Sequence, residues 1–490
     1  MFSPDQWLAS TGVSFYNGVA TQSLRFDNAR NSFLNRTPSI AGNQKTWTWS
    51  GWVKRNNSTS PLFRSINASG FVLLRFLSDQ INLIWFSSNT AQWSVTTNAL
   101  YRDFSAWYHI VVAFDTTQGT ASNRVKIYVN GVQETSLATA SYPNQNHDSL
   151  VNQTLVHSFA TTGALDAYMA EVNLIDGQAL DPTSFGETKN GVWIAKEYTG
   201  SYGTNGFRLQ FNQTGTGTAS SSTIGADTSG NTNHFTSSGI VASDCAMPDS
   251  PENNFCTLNS INASSNVTVS NGNLSTVTSS GIEAVVATLG VSTGKWYWEV
   301  HINATSTTSF IGITTPRHNN DGASFYDSNQ LLFADVNGSV YYSSLTSRSL
   351  PAFEINDIVK IKLDLDNQTM EYSINDGSYV GSITLTNFDS HVAGETWLPT
   401  TKAGASGGVG SFNHTYNFGQ DSSFAGNKTS GSATAQDANG IGDFYYAPPS
   451  GFLALCTSNL PEPIISPAQD EQADDDFNTV LYTGNYCSDR

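Results

Sequence analysis

The chain has 490 residues, too many for one hydrophobic core, so two or three domains are expected. Charged residues make up only 13% and aromatic residues 12%, with 40 glycines and no run of Ala, Glu, Lys and Leu at helical spacing. That composition predicts an almost entirely β protein. The formal charge is −18 with only 22 Lys and Arg. It excludes phosphate neutralisation on a nucleic acid and disfavours docking on an anionic membrane.

The opening residues, MFSPDQWLAS, lack the basic n-region of a secretory signal, and no apolar run approaches a membrane span. Residues 1–21 have apolar side chains without a core of their own. Phe2, Trp7, Phe15 and Tyr16 are therefore the expected anchor or assembly contacts.

Residues 22–190 form a first unit of short strands at sandwich spacing: TWTWSGWVKR, FVLLRFLSD, INLIWFSS, WYHIVVAFD and VKIYVNGVQE. In the last of these, Val125, Ile127 and Val129 alternate with Lys126 and Tyr128, and Asn130-Gly131 is a strong hairpin signal. The order WYHIVVAFD, VKIYVNGVQE, AYMAEVNLIDGQAL resembles the laminin G-like, concanavalin A-like jelly roll. Residues 191–252 are Gly-, Ser- and Thr-rich and read as a connector with one or two strands, Phe207 to Phe211 among them.

A second sandwich is expected over residues 253–420. Its clearest hairpin is DIVKIKLDLDNQTMEYSINDGSYVGSI. Val359, Ile361, Leu363 and Leu365 fall on a core face, and Lys360, Lys362, Asp364 and Asp366 on a face expected in water. Gly377 is expected to take the left-handed turn conformation. With GKWYWEVHI and FIGIT before this hairpin and YNFGQ after it, the order resembles the SPRY (B30.2) domain. The expected fold class is thus all-β, two tandem antiparallel β-sandwiches. Residues 421–490 belong to neither core: Pro448-Pro449 blocks ladder bonding, and the segment is expected to lie extended along the second sandwich.

Catalysis has one serious motif. Glycoside hydrolases of the concanavalin A-like fold resemble one another in a Glu-x-Asp-x-x-Glu strand. Glu171, Asn173 and Asp176 keep the offsets but replace the orienting carboxylate with an amide. His109 lies mid-strand and is expected to be a buried, hydrogen-bonded residue. The chain is read as non-enzymatic.

Binding is the alternative. A lectin site sets an aromatic face against a sugar's apolar side and adds amides and carboxylates for its hydroxyls. Of the 11 tryptophans, Trp47, Trp49, Trp52, Trp296 and Trp298 sit in strand patterns and are expected in the core. Trp85 and Trp93 flank Ser- and Asn-rich turns and are expected to be exposed. Partner binding in SPRY domains resembles a loop-built surface at one end of the sandwich, which here implies Arg317, Asn319, Asp321, Tyr326, Tyr341 and Tyr342. No metal site is expected. Calcium is the one cofactor left open, through loop carboxylates Asp227, Asp321 and Asp327, although no local run supplies its six to eight oxygens. Cys245, Cys256, Cys456 and Cys487 form no CxxC pair, and their disulfide state is open.

The two units followed by SNLPEP…FNTVLYTGN resemble virion proteins of marine, cyanophage-like bacteriophages. That resemblance implies a tail fibre, spike or capsid appendage in the virion, released by lysis. It would be a homo-oligomer, trimeric as first expectation, contacting other virion proteins and a host-surface glycan or outer-membrane component. The alternatives are a decoration protein without ligand and a polysaccharide depolymerase.

Overall fold

The computed structural model describes residues 15–160, 165–306, 308–316, 330–333, 338, 340–342, 344–346, 351–385, 395–404, 410–429 and 435–461. The strands within 330–333, 340–346 and 381–384 are described by their backbone alone. The fold is all-β, with a few single-turn 3₁₀ segments.

In the first sandwich a seven-stranded sheet runs Leu24–Phe26, Ala167–Asp176, Thr46–Arg55, Trp107–Asp115, Val125–Val129 and Val132–Gln133, with Phe207–Leu209 also paired to Ala167–Asp176. An eight-stranded sheet faces it: Leu137–Ser141, Thr90–Thr97, Gln80–Ser87, Gly70–Leu77, Ser60–Ile66, Val156–Phe159, Phe33–Arg36 and Thr236–Ser238. Side chains of both sheets meet in one buried cluster that includes Trp47, Trp49, Phe76, Leu83 and Phe114. The Asn130-Gly131 hairpin forms as its sequence predicts, both residues having positive φ (47° and 83°).

The stretch 191–252, expected as a connector, is part of this body. It gives one strand to each sheet, and Phe207, Phe211, Ile224 and Phe235 fill the shared core. Beyond the Phe207 to Phe211 stretch, core residues Ile224 and Phe235 come singly among Gly, Ser, Thr and Asn, so no periodic signal marks them.

The second sandwich pairs Lys295–Thr305 with Ile358–Asp364 and Phe412–Asn417 in one sheet, and Ser309–Thr314 with Leu398–Ala403 in the other. Trp296, Trp298, Ile311, Ile361 and Leu363 share its core. The hairpin face expected in water is in large part covered: Lys360 and Asp364 are buried and Lys362 half-buried, while Asp366 at the turn is exposed. Lys360 Nζ sits 4.6 Å from the centre of the Tyr446 ring, and Lys362 Nζ 4.7 Å from that of Tyr379. The cover is the C-terminal segment, which adds Leu453–Ala454 as a parallel strand and buries Phe444 and Phe452 against Tyr297. Alternation within a strand reports which residues share a face, not what later chain will lie on it. In the turn itself the left-handed residue is Asn375 (φ 49°), not Gly377.

The two sandwiches meet through buried charge. Lys54 Nζ is fully buried and donates to Asp249 Oδ2 (2.8 Å), Asn254 Oδ1 (2.7 Å) and the Phe255 carbonyl (3.1 Å). Arg25, also buried, spans Asp244 of the first body and Asp421 of the second, at 3.0 Å each. Those two carboxylates outweigh the burial that disfavours its charge, and its pKa is raised. Tyr168 Oη donates to the Gly272 carbonyl (3.1 Å), and Gly272 N–H donates to Asp166 (3.2 Å).

Candidate ligand-binding surface

Strand alternation decides the two tryptophans of the first sandwich. Trp85 and Trp93 are directly opposed across Gln80–Ser87 and Thr90–Thr97, on the same face as core residues Leu83 and Val95. Trp93 is 3% exposed and packs on Phe114 at 5.9 Å, which overturns its expected exposure. The polar turn beside it says nothing about which face it occupies. Trp85 lies nearer the rim and is half-buried, its ring 4.7 Å from that of His147. Of the pair, Trp85 retains a solvent-facing side.

Of the loop residues expected in the second sandwich, Arg317, Asn319, Asp321 and Tyr326 lie outside the described residues. Tyr341 and Tyr342 are on the strand Val340–Tyr342, paired to Gln330–Phe333 and Ser344–Thr346, and are described by backbone only. Phe2 and Trp7 are also outside the described residues. Phe15 and Tyr16 are half-buried and have partners within the chain: Lys189 Nζ lies 5.2 Å from the Phe15 ring centre and donates to its carbonyl (2.6 Å). The next residues are clamped by Glu252, which accepts from the N–H groups of Gly18, Val19 and Ala20.

The catalytic motif is sealed. Glu171 sits at a bulge in Ala167–Asp176 with φ 44°, is 3% exposed, and accepts from Arg208 Nε at 2.7 Å. Burial raises its pKa to about 6 against the pull of Arg208. Asn173 accepts from Tyr202 Oη (2.9 Å). Asp176 is taken up by the N–H groups of Asn43 and Asn205 and the Asn152 amide. These groups act as structural acceptors, and the acid nearest Glu171, the exposed Glu197, is tied to the same Arg208.

Two histidines contact serines, one of them the His109 expected to be buried and hydrogen-bonded. His109 Nε2 lies 2.9 Å from Ser50 Oγ, but its Nδ1 accepts from Trp193 Nε1 (2.9 Å). That bond fixes the neutral tautomer with the proton on Nε2, facing the serine, so His109 cannot take the serine's proton. Burial pulls its pKa down to about 3. His414 is held between Ser309 (3.1 Å) and Thr401 (2.9 Å), fully enclosed, its pKa likewise lowered to about 3 by burial.

Among the carboxylates considered for calcium, Asp227 is spent on the loop itself, accepting from the N–H groups of Arg208, Ser229 and Asn233. Asp321 and Asp327 lie outside the described residues. No group of three or more His, Cys, Asp or Glu able to hold a metal ion occurs among the described residues. No helix among them is long and apolar enough to cross a membrane.

Residues 28–184 match the concanavalin A-like lectin/glucanases superfamily in its laminin G-like form, and residues 295–400 match the SPRY domain. The chain carries a laminin G-like domain and a SPRY domain. Together these domains indicate a β-sandwich binding or adhesion module. Among solved structures, the chain is similar to the SPRY domain of human HERC1, at 18% identity over 34% of this chain and 97% of that one, with a TM-score of 0.28. The PSpry domain of TRIM65 is similar at 12% identity over 32% and 91%, with a TM-score of 0.26. Stonustoxin is similar at 20% identity over 33% of this chain and 27% of its own, with a TM-score of 0.25. No curated protein matches the chain.

Proposed function

We propose that the chain is a non-catalytic attachment protein of a bacteriophage particle, presenting its sandwich rims to a host-surface glycan or protein. The observation that carries this reading is the fusion of two binding-type sandwiches into one body by the buried Lys54 and Arg25 contacts. Such a body holds its rims in a fixed relation, which lowers the ordering cost of engaging an extended surface. The inward engagement of Glu171, Asp176 and His109 supports the non-catalytic part. Placement on a virion rests on the similarity of the domain order and the SNLPEP…FNTVLYTGN tail to marine phage proteins. In this reading the chain is a homo-oligomer, a trimer by preference, bound to other virion proteins.

Two experiments test it. Purified chain on arrays of host polysaccharide and lipopolysaccharide is expected to bind; silence there leaves a decoration protein. Gold-labelled antibody is expected on intact particles. Release of reducing ends from host polysaccharide that disappears in Glu171→Gln overturns the non-catalytic assignment.

A further inference from the structure

A recess lies between the two domains, lined by residues of both. It has a volume of about 890 Å³, within the range of roughly 300–1,000 Å³ typical of small-molecule sites, which favour domain junctions. One wall is apolar, from Val241, Met247 and Pro248 of the laminin G-like body. The other is polar, from Ser423, Gln436 and Asp443 beside the SPRY domain.

One carboxylate of the lining keeps a free acceptor. Asp443 Oδ2 accepts from Ser422 N (3.2 Å) and Oγ (3.0 Å), whereas its Oδ1 has no partner among the described residues. An unfilled carboxylate oxygen beside the exposed Gln436 amide suits a ligand that both gives and takes hydrogen bonds.

Charge narrows the class. The cations at the cleft are already committed: Arg30 to Asp27 (3.2 Å) and the Ala425 carbonyl, Lys428 to the Asn356 carbonyl (2.7 Å). Asp443 and a chain charge of −18 repel anions. An apolar wall opposite carboxylate and amide acceptors fits the two faces of a sugar ring. Arg25 joins Asp244 behind one wall to Asp421 in the other, so the spacing between the walls is set before any ligand arrives.

We infer that this interdomain cleft is a binding site for a neutral saccharide, held by Asp443 and Gln436 against the Val241–Met247–Pro248 wall. It rests on the glycan part of the proposed function but moves the sugar from the rims to the junction.

Saturation-transfer NMR on the intact chain, with methyl glycosides of glucose, mannose, galactose and N-acetylglucosamine, tests it. Transfer to at least one glycoside is expected. Affinity should fall roughly tenfold or more in Asp443→Asn and in Ala242→Trp, which fills the mouth from an exposed position, and stay unchanged in Trp85→Ala. The thermal midpoint of each variant, measured alongside, shows that the fold survives; if Ala242→Trp does not fold, Asp443→Asn alone decides. No transfer to any of the four, or binding that survives both cleft variants, overturns the site. Binding lost in Trp85→Ala but kept in the cleft variants overturns the site while leaving the rim reading intact.

Discussion

Asp249→Ala is the sharpest probe of how the two domains are joined. The carboxylate is fully buried and supplies the counter-charge of Lys54, itself without solvent contact, and it also accepts from Trp107 Nε1 at 3.2 Å. Truncation leaves an ammonium in the interface with only the Asn254 amide oxygen and the Phe255 carbonyl. Breaking one side of such a pair costs about 3–5 kcal/mol, because the survivor keeps its desolvation penalty without its partner. About 4 kcal/mol is roughly a thousandfold in the equilibrium. Chemical unfolding followed by tryptophan fluorescence reads both domains, since Trp49 and Trp298 sit in separate cores. The expected result is a lowered midpoint and a single transition that splits in two. Lys54→Met/Asp249→Leu removes both charges and is expected to recover much of the loss. The reasoning is refuted if Asp249→Ala lies within about 0.5 kcal/mol of the parent, or if the double variant loses the sum of the two singles.

Glu299 sets a pH dependence. It has no solvent contact and accepts from Tyr297 Oη, the N–H groups of Tyr445 and Tyr446, and the Asn417 amide; burial nonetheless outweighs these donors and raises its pKa from 4.5 to about 7. Between those values the folded chain holds a proton that the unfolded chain has released. Its contribution to stability is therefore full below about pH 4.5 and is lost as pH rises through 7. Thermal midpoints from pH 5 to 8 should fall more steeply in the parent than in Glu299→Gln; parallel curves would refute this. Cys256 and Cys456 are buried, with burial pushing their thiols up to about 11 and about 12. Peptide mapping after a thiol reagent at pH 8 should find both unlabelled in the native chain and labelled in denaturant. Labelling of native Cys456 would show that the C-terminal segment lifts off the SPRY sheet.

Much of the fold was legible because it is written locally. Val125, Ile127 and Val129 before Asn130-Gly131, or Val359, Ile361 and Leu363, carry a period of two that sorts faces without any tertiary knowledge. What escaped depends on distant chain. Arg25 and Asp421 are 396 residues apart, and neither has a neighbour that marks it as an interface residue. Lys360 reads as solvated until Tyr379 and Tyr446 arrive from later in the sequence to cover it. Trp93 is the opposite case: its polar turn suggests exposure, whereas its place two residues from Val95 on the strand sets it on the core face. At the candidate site the sequence offered Trp85 but gave no sign of the cleft, whose lining comes from several separated segments, none of them a motif.

The span between Arg25 and Asp421 also dictates an order of events as the chain leaves the ribosome. The laminin G-like half is complete some 170 residues before Asp421 emerges, and N-terminal domains generally fold as they are made. Until then Arg25 has only its near partner Asp244, so at this point the surface awaiting its mate is ionic and wet. Docking is then the last step, and these charges surrender their water only when the SPRY half arrives to replace it.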